Sequence, residues 1–190
     1  MPPERTLWLL RHAKAVADPP PDGADFDRVL APRGRRDARA LGALIGRDGS
    51  GLGLGLGHDL GHLPQVALVS PAVRTVETAD LVLEFMDPAP QREEDPELYG
   101  AEPDEILARL RTLDEGLVSA MVIGHNPTAQ ALALGLLDPD DAAGRDLVVR
   151  RRFPTCALGI YRLDIAHWTD LGGRCAHLLG LFIPPFEGGA

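Results

Sequence analysis

The sequence Leu7-Trp8-Leu9-Leu10-Arg11-His12-Ala13-Lys14 places four large apolar residues directly before three potential cations. An unbroken apolar run of this length is typical of a strand that is covered on both faces, as in a parallel sheet. Open α/β sheets bind their ligands at the carboxyl ends of such strands, where Arg11 and His12 stand. The alternative is that these two residues only begin the loop after a core strand, so the rest of the chain must distinguish the two interpretations.

The composition is that of one globular domain over residues 1–190. Apolar residues make up 45% of the chain and charged residues 25%, as in ordinary globular proteins. The first apolar run ends at Arg11, so it is too short for a signal peptide, and no run approaches the roughly 20 apolar residues that cross a bilayer. We therefore expect a cytoplasmic protein without a membrane partner, whose two cysteines are reduced thiols.

The net charge of −9 argues against nucleic acid as a partner, because nucleic-acid binders carry a basic surface. In an acidic chain, arginines that gather at one place indicate an anionic ligand instead. The sequence does not indicate the oligomeric state.

Two further apolar runs predict strands that end in polar residues. Val66–Val69 is followed by Ser70-Pro71 and a helix that carries Arg74, and residues 120–123 are followed by Gly124-His125-Asn126-Pro127 and a helix over 128–137. Ser70 and Asn126 are expected to cap these helices. Because strands alternate with helices, we expect a three-layer α/β/α sandwich around a mostly parallel central sheet, with helices on both faces.

Weaker patterns predict the other elements. They are a helix over 34–47, a short strand over 91–93, a helix over 104–113, a loop over 138–146, a solvated basic run over 150–152, strands over 156–163 and 176–183, and a small hairpin edge at Trp168. Residues 49–64 alternate glycine with leucine and are interpreted as a flexible insertion in which His58 and His62 are exposed. Residues 184–190 are expected to be a frayed tail.

A parallel sheet brings the carboxyl ends of its strands to one edge, so Arg11, His12, Arg74 and His125 are expected to share one crevice. The planar fork of arginine matches the oxygens of a phosphoryl group. A histidine between arginines should have a lowered pKa and remain neutral and nucleophilic at pH 7. The site is therefore suited to phosphoryl transfer.

These motifs together resemble the histidine phosphatase superfamily. The motifs are Arg11-His12-Ala13, Ser70-Pro71-Ala72-x-Arg74-Thr75-x-x-Thr78-Ala79 and Gly124-His125-Asn126-Pro127. Within the superfamily, Arg11-His12-Ala13-Lys14 followed by Asp25-x-x-Arg28-x-Leu30-x-x-x-Gly34 resembles the SixA-type branch, the phosphohistidine phosphatases. The resemblance covers most of residues 6–137 and leaves out the glycine-leucine insertion and the carboxyl-terminal 25 residues.

The resemblance implies that His12 is the nucleophile, which forms a phosphohistidine intermediate that water then hydrolyses. It further implies that Arg11, Arg74 and His125 hold the equatorial oxygens of the phosphoryl group. No metal or other cofactor is implied, because these cations do the work that Mg²⁺ does elsewhere.

Other residues of the motifs are further candidates for the site. Arg28 is expected to contact phosphate by its motif position. Lys14 either contacts the substrate beyond the phosphate or is simply exposed, and Asn126 adjoins His125 in its motif.

The proton donor does not follow from the resemblance. Larger branches carry an acidic residue between the second and third motifs, and here Glu97 is the first candidate and Asp25 the second, each with a structural role as the alternative. Imidazole leaves with far less help than an alkoxide, because its conjugate acid has a pKa of about 6.5. A missing strong acid therefore favours a phosphoramidate substrate such as phosphohistidine.

We accordingly expect a metal-independent phosphatase that removes phosphate from phosphohistidine in a protein or peptide. One alternative is a phosphatase of a small phosphomonoester, such as a sugar or nucleotide phosphate. A second alternative is a non-catalytic, phosphate-binding regulatory module.

Overall fold

A computed structural model describes residues 4–46 and 62–186 of the chain. Its strands are β1 (Arg5–Arg11), β2 (Val66–Val69), β3 (Gln91–Glu94), β4 (Ser119–Gly124), β5 (Leu158–Leu163) and β6 (Ala176–Phe182). Its α-helices are α1 (Pro32–Gly46), α2 (Val73–Leu83), α3 (Pro103–Leu110), α4 (Thr128–Leu136) and α5 (Ala142–Arg151). Short 3₁₀ turns lie at Asp25–Asp27, Pro96–Leu98 and Trp168–Asp170.

The strands form one sheet in the order β3-β2-β4-β1-β5-β6. β3, β2, β4 and β1 are parallel neighbours, whereas β5 pairs antiparallel with both β1 and β6. The expectation of a mostly parallel sheet is confirmed. The carboxyl ends of β1, β2 and β4 lie side by side, because the His12 amide donates to the Gly124 carbonyl and the Ser70 amide to the Ile123 carbonyl.

Alternate side chains of β1 enter two different hydrophobic cores. Leu7 and Leu9 pack with apolar residues of α3, α4 and α5 on one face of the sheet. Trp8 and Leu10 pack with apolar residues of α1 and α2 on the other face. Successive side chains of a strand point to opposite faces of the sheet, so an entirely apolar strand must be covered on both faces. The result is the predicted three-layer sandwich, with helices on both faces of the sheet.

Two predictions about the carboxyl-terminal part are wrong. Residues 142–146 are not loop, because α5 begins at Ala142 and the Asp141 side chain caps it by accepting from the Gly144 amide. Trp168 is not in a hairpin edge but in a 3₁₀ turn, where its ring is buried and its indole N–H donates to the Leu117 carbonyl. Both features depend on contacts that local periodicity does not show.

The predicted insertion and tail fall largely outside the described residues, which do not include 47–61 or 187–190. His58 lies outside them as well, whereas His62 is described and is exposed. Among the helices of the described ranges, none is both long and apolar enough to cross a membrane. Cys156 and Cys175 are free thiols, as expected.

Candidate active site

A cavity of about 340 Å³ opens where β1 and β4 end. Its lining residues are Arg11, His12, Lys14, Ala15, Asp25, Arg28, Arg74, His125, Asn126 and Thr155. The structure thus brings together every residue predicted for the site except Glu97. Glu97 lines a separate, neighbouring cavity of about 610 Å³.

His12 directly follows β1 and is 9% exposed. Its Nδ1 lies 2.8 Å from the Ala13 carbonyl oxygen. Because a carbonyl oxygen can only accept, Nδ1 carries the proton and Nε2 keeps its lone pair. Burial, and then the charges of His125 and the nearby arginines, lower the pKa of His12 to about 3. The ring is therefore neutral at pH 7, with Nε2 available as a nucleophile.

His125 follows β4, and its ring centroid lies 5.2 Å from that of His12. The Arg74 guanidinium donates to Nδ1 at 3.4 Å, so Nε2 carries the proton and donates to Ser70 Oγ at 2.7 Å. Burial, and then the charge of Arg74, lower the pKa of His125 to about 4. The expectation that Ser70 caps α2 is wrong, because the N-cap is Ala72 and the serine hydroxyl binds this histidine instead.

Asp25 ties two of the arginines together. Arg74 Nη1 donates to its backbone carbonyl at 2.7 Å and Arg74 Nη2 to its carboxylate at 2.9 Å. Arg28 Nε donates to the other carboxylate oxygen at 2.8 Å. These hydrogen bonds, above all that from Arg28, lower the pKa of Asp25 from its ordinary value. The one carboxylate among the lining residues is therefore ionised at neutral pH.

The Phe153 carbonyl holds two further lining residues in place. Its oxygen accepts hydrogen bonds from Arg11 Nη1 at 3.1 Å and from Asn126 Nδ2 at 3.1 Å. The expectation that Asn126 caps α4 is wrong, because the N-cap is Pro127. The side-chain amide of Asn126 donates its hydrogen bond to the Phe153 carbonyl instead.

The backbone around Phe153 is unusual. Arg152, Phe153 and Cys156 have φ angles of 57°, 44° and 63°, in the left-handed region that favours glycine. The Cys156 amide lies 3.1 Å from both the Arg11 and the His12 carbonyl oxygens. Strained residues of this kind persist where the surrounding structure holds them, and here they hold the carboxyl end of β1.

The loop that carries Asp25 and Arg28 is anchored by the last residues of its motif. Leu30 is buried, and its amide donates to the Glu77 carboxylate of α2. Gly34 lies so close to the backbone of Lys14 that a Cβ at this position would overlap the Lys14 carbonyl oxygen. Glycine is therefore required where α1 passes the segment that follows His12.

Three contacts at the site were not found from the sequence. They involve Ser70, Phe153 and Tyr99, whose hydroxyl donates to Asp25 Oδ2 at 3.2 Å and whose ring meets that of His125 edge-on at 5.7 Å. Ser70 carries a recognisable signal, because it follows β2 just as His12 and His125 follow their strands. Phe153 and Tyr99 stand in segments whose local patterns indicate only packing.

The lining of the cavity suits an anion of several oxygens. Four cationic side chains line it against one carboxylate, and Arg11 Nε and Arg74 Nε are buried without a hydrogen-bond partner among the described residues. Guanidinium donors arranged around a neutral histidine nitrogen suit the stabilisation of a phosphoryl group as it is transferred.

Comparison with known proteins agrees with this geometry. No protein-family model matches the chain. The uncharacterized protein Rv1276c of Mycobacterium tuberculosis is 34% identical over 180 residues, which cover 92% of this chain and 99% of that protein. A solved structure from Nakamurella multipartitia, named as a candidate phosphohistidine phosphatase SixA, is 30% identical with a TM-score of 0.76 and covers 97% of this chain and 99% of that one.

A solved protein histidine phosphatase SixA in complex with tungstate shares the fold, with a TM-score of 0.68 at 21% identity over 93% of this chain and 95% of that one. The ordered motifs, the fold and these relatives lead to one assignment. The chain belongs to the histidine phosphatase superfamily, in its SixA-type branch.

Proposed function

We propose that this histidine phosphatase removes the phosphoryl group from phosphohistidine in a protein or peptide, with His12 as its nucleophile. The observation that carries the proposal is the hydrogen bond from His12 Nδ1 to the Ala13 carbonyl, which leaves the Nε2 lone pair of a neutral ring free. The guanidinium groups of Arg11 and Arg74 line the same cavity.

The reaction has two steps. In the first, His12 Nε2 attacks phosphorus and the bond between phosphorus and the substrate imidazole breaks. The imidazole, protonated on its other ring nitrogen, takes the electron pair of that bond and departs as a neutral molecule, and the phosphoryl group remains on His12. In the second, a water oxygen attacks phosphorus, the bond between phosphorus and His12 Nε2 breaks, and both water protons leave with the released dihydrogen phosphate, so that His12 returns to its starting state. Arg11 and Arg74 stabilise the equatorial oxygens in both steps, while His125, whose Nε2 proton is bound by Ser70, adjoins the His12 ring.

The lining of the cavity supports phosphohistidine as the substrate. Asp25, one of the two candidate proton donors, is held ionised by Arg28 and Arg74 and is therefore a poor acid at neutral pH. Glu97, the other candidate, does not line the cavity. An alkoxide needs a proton to depart, whereas an imidazole, with a conjugate acid of pKa about 6.5, departs readily.

The test compares substrates on the purified protein. We expect kcat/KM for a phosphohistidine peptide to exceed that for sugar and nucleotide phosphates by about a hundredfold or more, because only the esters lack a good leaving group. His12→Asn should lose about a thousandfold or more in kcat for the peptide. Rapid quenching with radiolabelled substrate should trap an acid-labile phosphoprotein in the wild type only.

The two alternatives predict different outcomes. Faster turnover of a monoester than of the peptide would make the protein a small-molecule phosphatase. Phosphate release at only the uncatalysed rate in both the wild type and His12→Asn would leave a module that only binds phosphate. The second alternative is disfavoured because anion binding alone needs the arginines and not a histidine with a free Nε2.

A further inference from the structure

The cavity of about 610 Å³ beside the active site has no role in the two chemical steps. It lies between residues 97–101 and one face of α3 and its following turn. Its lining residues are Glu97, Leu98, Tyr99, Gly100, Ala101, Glu105, Ala108, Arg109 and Thr112. We call it the flanking cavity.

The flanking cavity is connected to the active site by shared lining residues. A smaller cavity of about 150 Å³ shares Leu98, Gly100 and Ala101 with it, and shares His125 and Asn126 with the phosphate-binding cavity. Tyr99 joins the two directly, because it lines the flanking cavity while its hydroxyl binds the Asp25 carboxylate. A substrate held by His12 and the arginines can therefore extend along this surface.

The flanking cavity has the opposite charge to the phosphate-binding cavity. Glu97 and Glu105 are exposed, and neither carboxylate meets a cation within the described ranges. Arg109, the one cation of the lining, is already paired with the Glu93 carboxylate at 2.6 Å and the Asp95 carboxylate at 2.8 Å. The Glu97 carboxylate and the Glu105 oxygen that does not bind the Glu102 amide thus remain for a partner.

We propose that the flanking cavity binds the polypeptide next to the phosphohistidine of the substrate and selects a lysine or arginine there. This inference rests on the proposed function. The aliphatic stem of such a side chain packs on Tyr99 and Leu98, and its charged end meets Glu97 and Glu105. An acidic neighbour is repelled, and a small phosphorylated metabolite leaves the cavity unused.

Two phosphohistidine peptides of equal length test the selection, one with lysines and one with glutamates beside the phosphohistidine. We expect the wild type to show a kcat/KM about threefold to tenfold higher for the lysine peptide, mainly through KM, at low ionic strength. The ratio should shrink in high salt, because exposed charges are screened.

The double variant Glu97→Gln, Glu105→Gln should bring the ratio of the two peptides to about one. The glutamine side chain introduced at position 105 can still accept from the Glu102 amide, which the Glu105 carboxylate now caps, so α3 is retained. Asp104→Asn is the matched control, because this exposed carboxylate of α3 does not line the cavity. In this variant the ratio of kcat/KM for the two peptides should equal that of the wild type.

A wild-type ratio near one, or a ratio that the double variant does not change, overturns the inference. An equal loss on both peptides also overturns it and would place Glu97 in the chemistry. Failure of the wild type to hydrolyse either peptide, with monoesters turned over instead, overturns the proposed function itself.

Discussion

The guanidinium of Arg74, which can only donate, determines which nitrogen of His125 carries the proton. It donates to Nδ1, so Nε2 carries the proton and donates to the hydroxyl oxygen of Ser70 at 2.7 Å. A ring that is held at both nitrogens cannot rotate away from His12, so the serine positions the histidine without touching the phosphoryl group.

Ser70→Ala should therefore lower kcat for the phosphohistidine peptide by about twofold to tenfold with little change in KM, since one hydrogen bond contributes about 0.5–1.5 kcal/mol. Steady-state kinetics measure the effect. Ser119→Ala is the control, because this buried serine lies at the opposite end of β4, where it bonds Thr6. It should reduce stability and leave kcat unchanged. Equal kinetic losses in the two variants would contradict a positioning role for Ser70.

Residues that follow apolar strands could be predicted from the sequence, and those that act across the fold could not. Arg11 ends such a strand, His12 and His125 follow one, and all three line the cavity as expected. Phe153 contacts Arg11, which is 142 residues away in the sequence, and Tyr99 contacts Asp25, which is 74 residues away. No local periodicity encodes pairs of that separation.

At the scale of elements, α1 packs its first turn against the loop that leaves the active site. The contact is made by Gly34, which has no room for a Cβ against the Lys14 carbonyl. The start of α1 is thereby fixed against the chain two residues beyond His12.

Gly34→Ala should reduce the free energy of unfolding by about 1–3 kcal/mol, because the backbone of Lys14 must move to admit the methyl group. Gly135→Ala is the control, since this exposed glycine of α4 has nothing within 4 Å of an added Cβ. It should stabilise by about 0.5–1 kcal/mol through helix propensity. Urea unfolding measures both variants, and a neutral Gly34→Ala would refute the tight contact.

Elements with a strong apolar pattern could also be predicted, while α5 could not. The strand expected over Val66–Val69 has the same bounds in the structure. In α5 only Gly144 and Val148 are buried, so the sequence of this helix lacks the periodic apolar pattern from which a helix is predicted. Its amino terminus depends on Asp141, one of several acidic residues in a segment that resembles an ordinary loop.

At the scale of the whole molecule, the active-site histidines make stability depend on pH. The pKa of His12 is lowered to about 3 and that of His125 to about 4, against about 6.5 in the unfolded chain. Between these values the unfolded chain binds protons that the folded chain does not. The free energy of unfolding therefore falls as the pH falls from 6.5 towards 4.

The double variant His12→Asn, His125→Asn should lose this dependence, because asparagine does not titrate. Between pH 7.5 and pH 5, the wild type should lose about 2–4 kcal/mol more stability than the variant. Urea unfolding at both pH values gives the comparison. Parallel losses in the two proteins would mean that the rings are charged in the folded state.

Asp25 gives Arg74 an oxyanion ligand from within the protein. The guanidinium has therefore lost most of its hydration during folding, and an arriving phosphoryl oxygen exchanges with a carboxylate rather than with bulk water. Because this carboxylate is tethered at high effective concentration, the loop that carries Asp25 is placed to compete with any bound anion for Arg74.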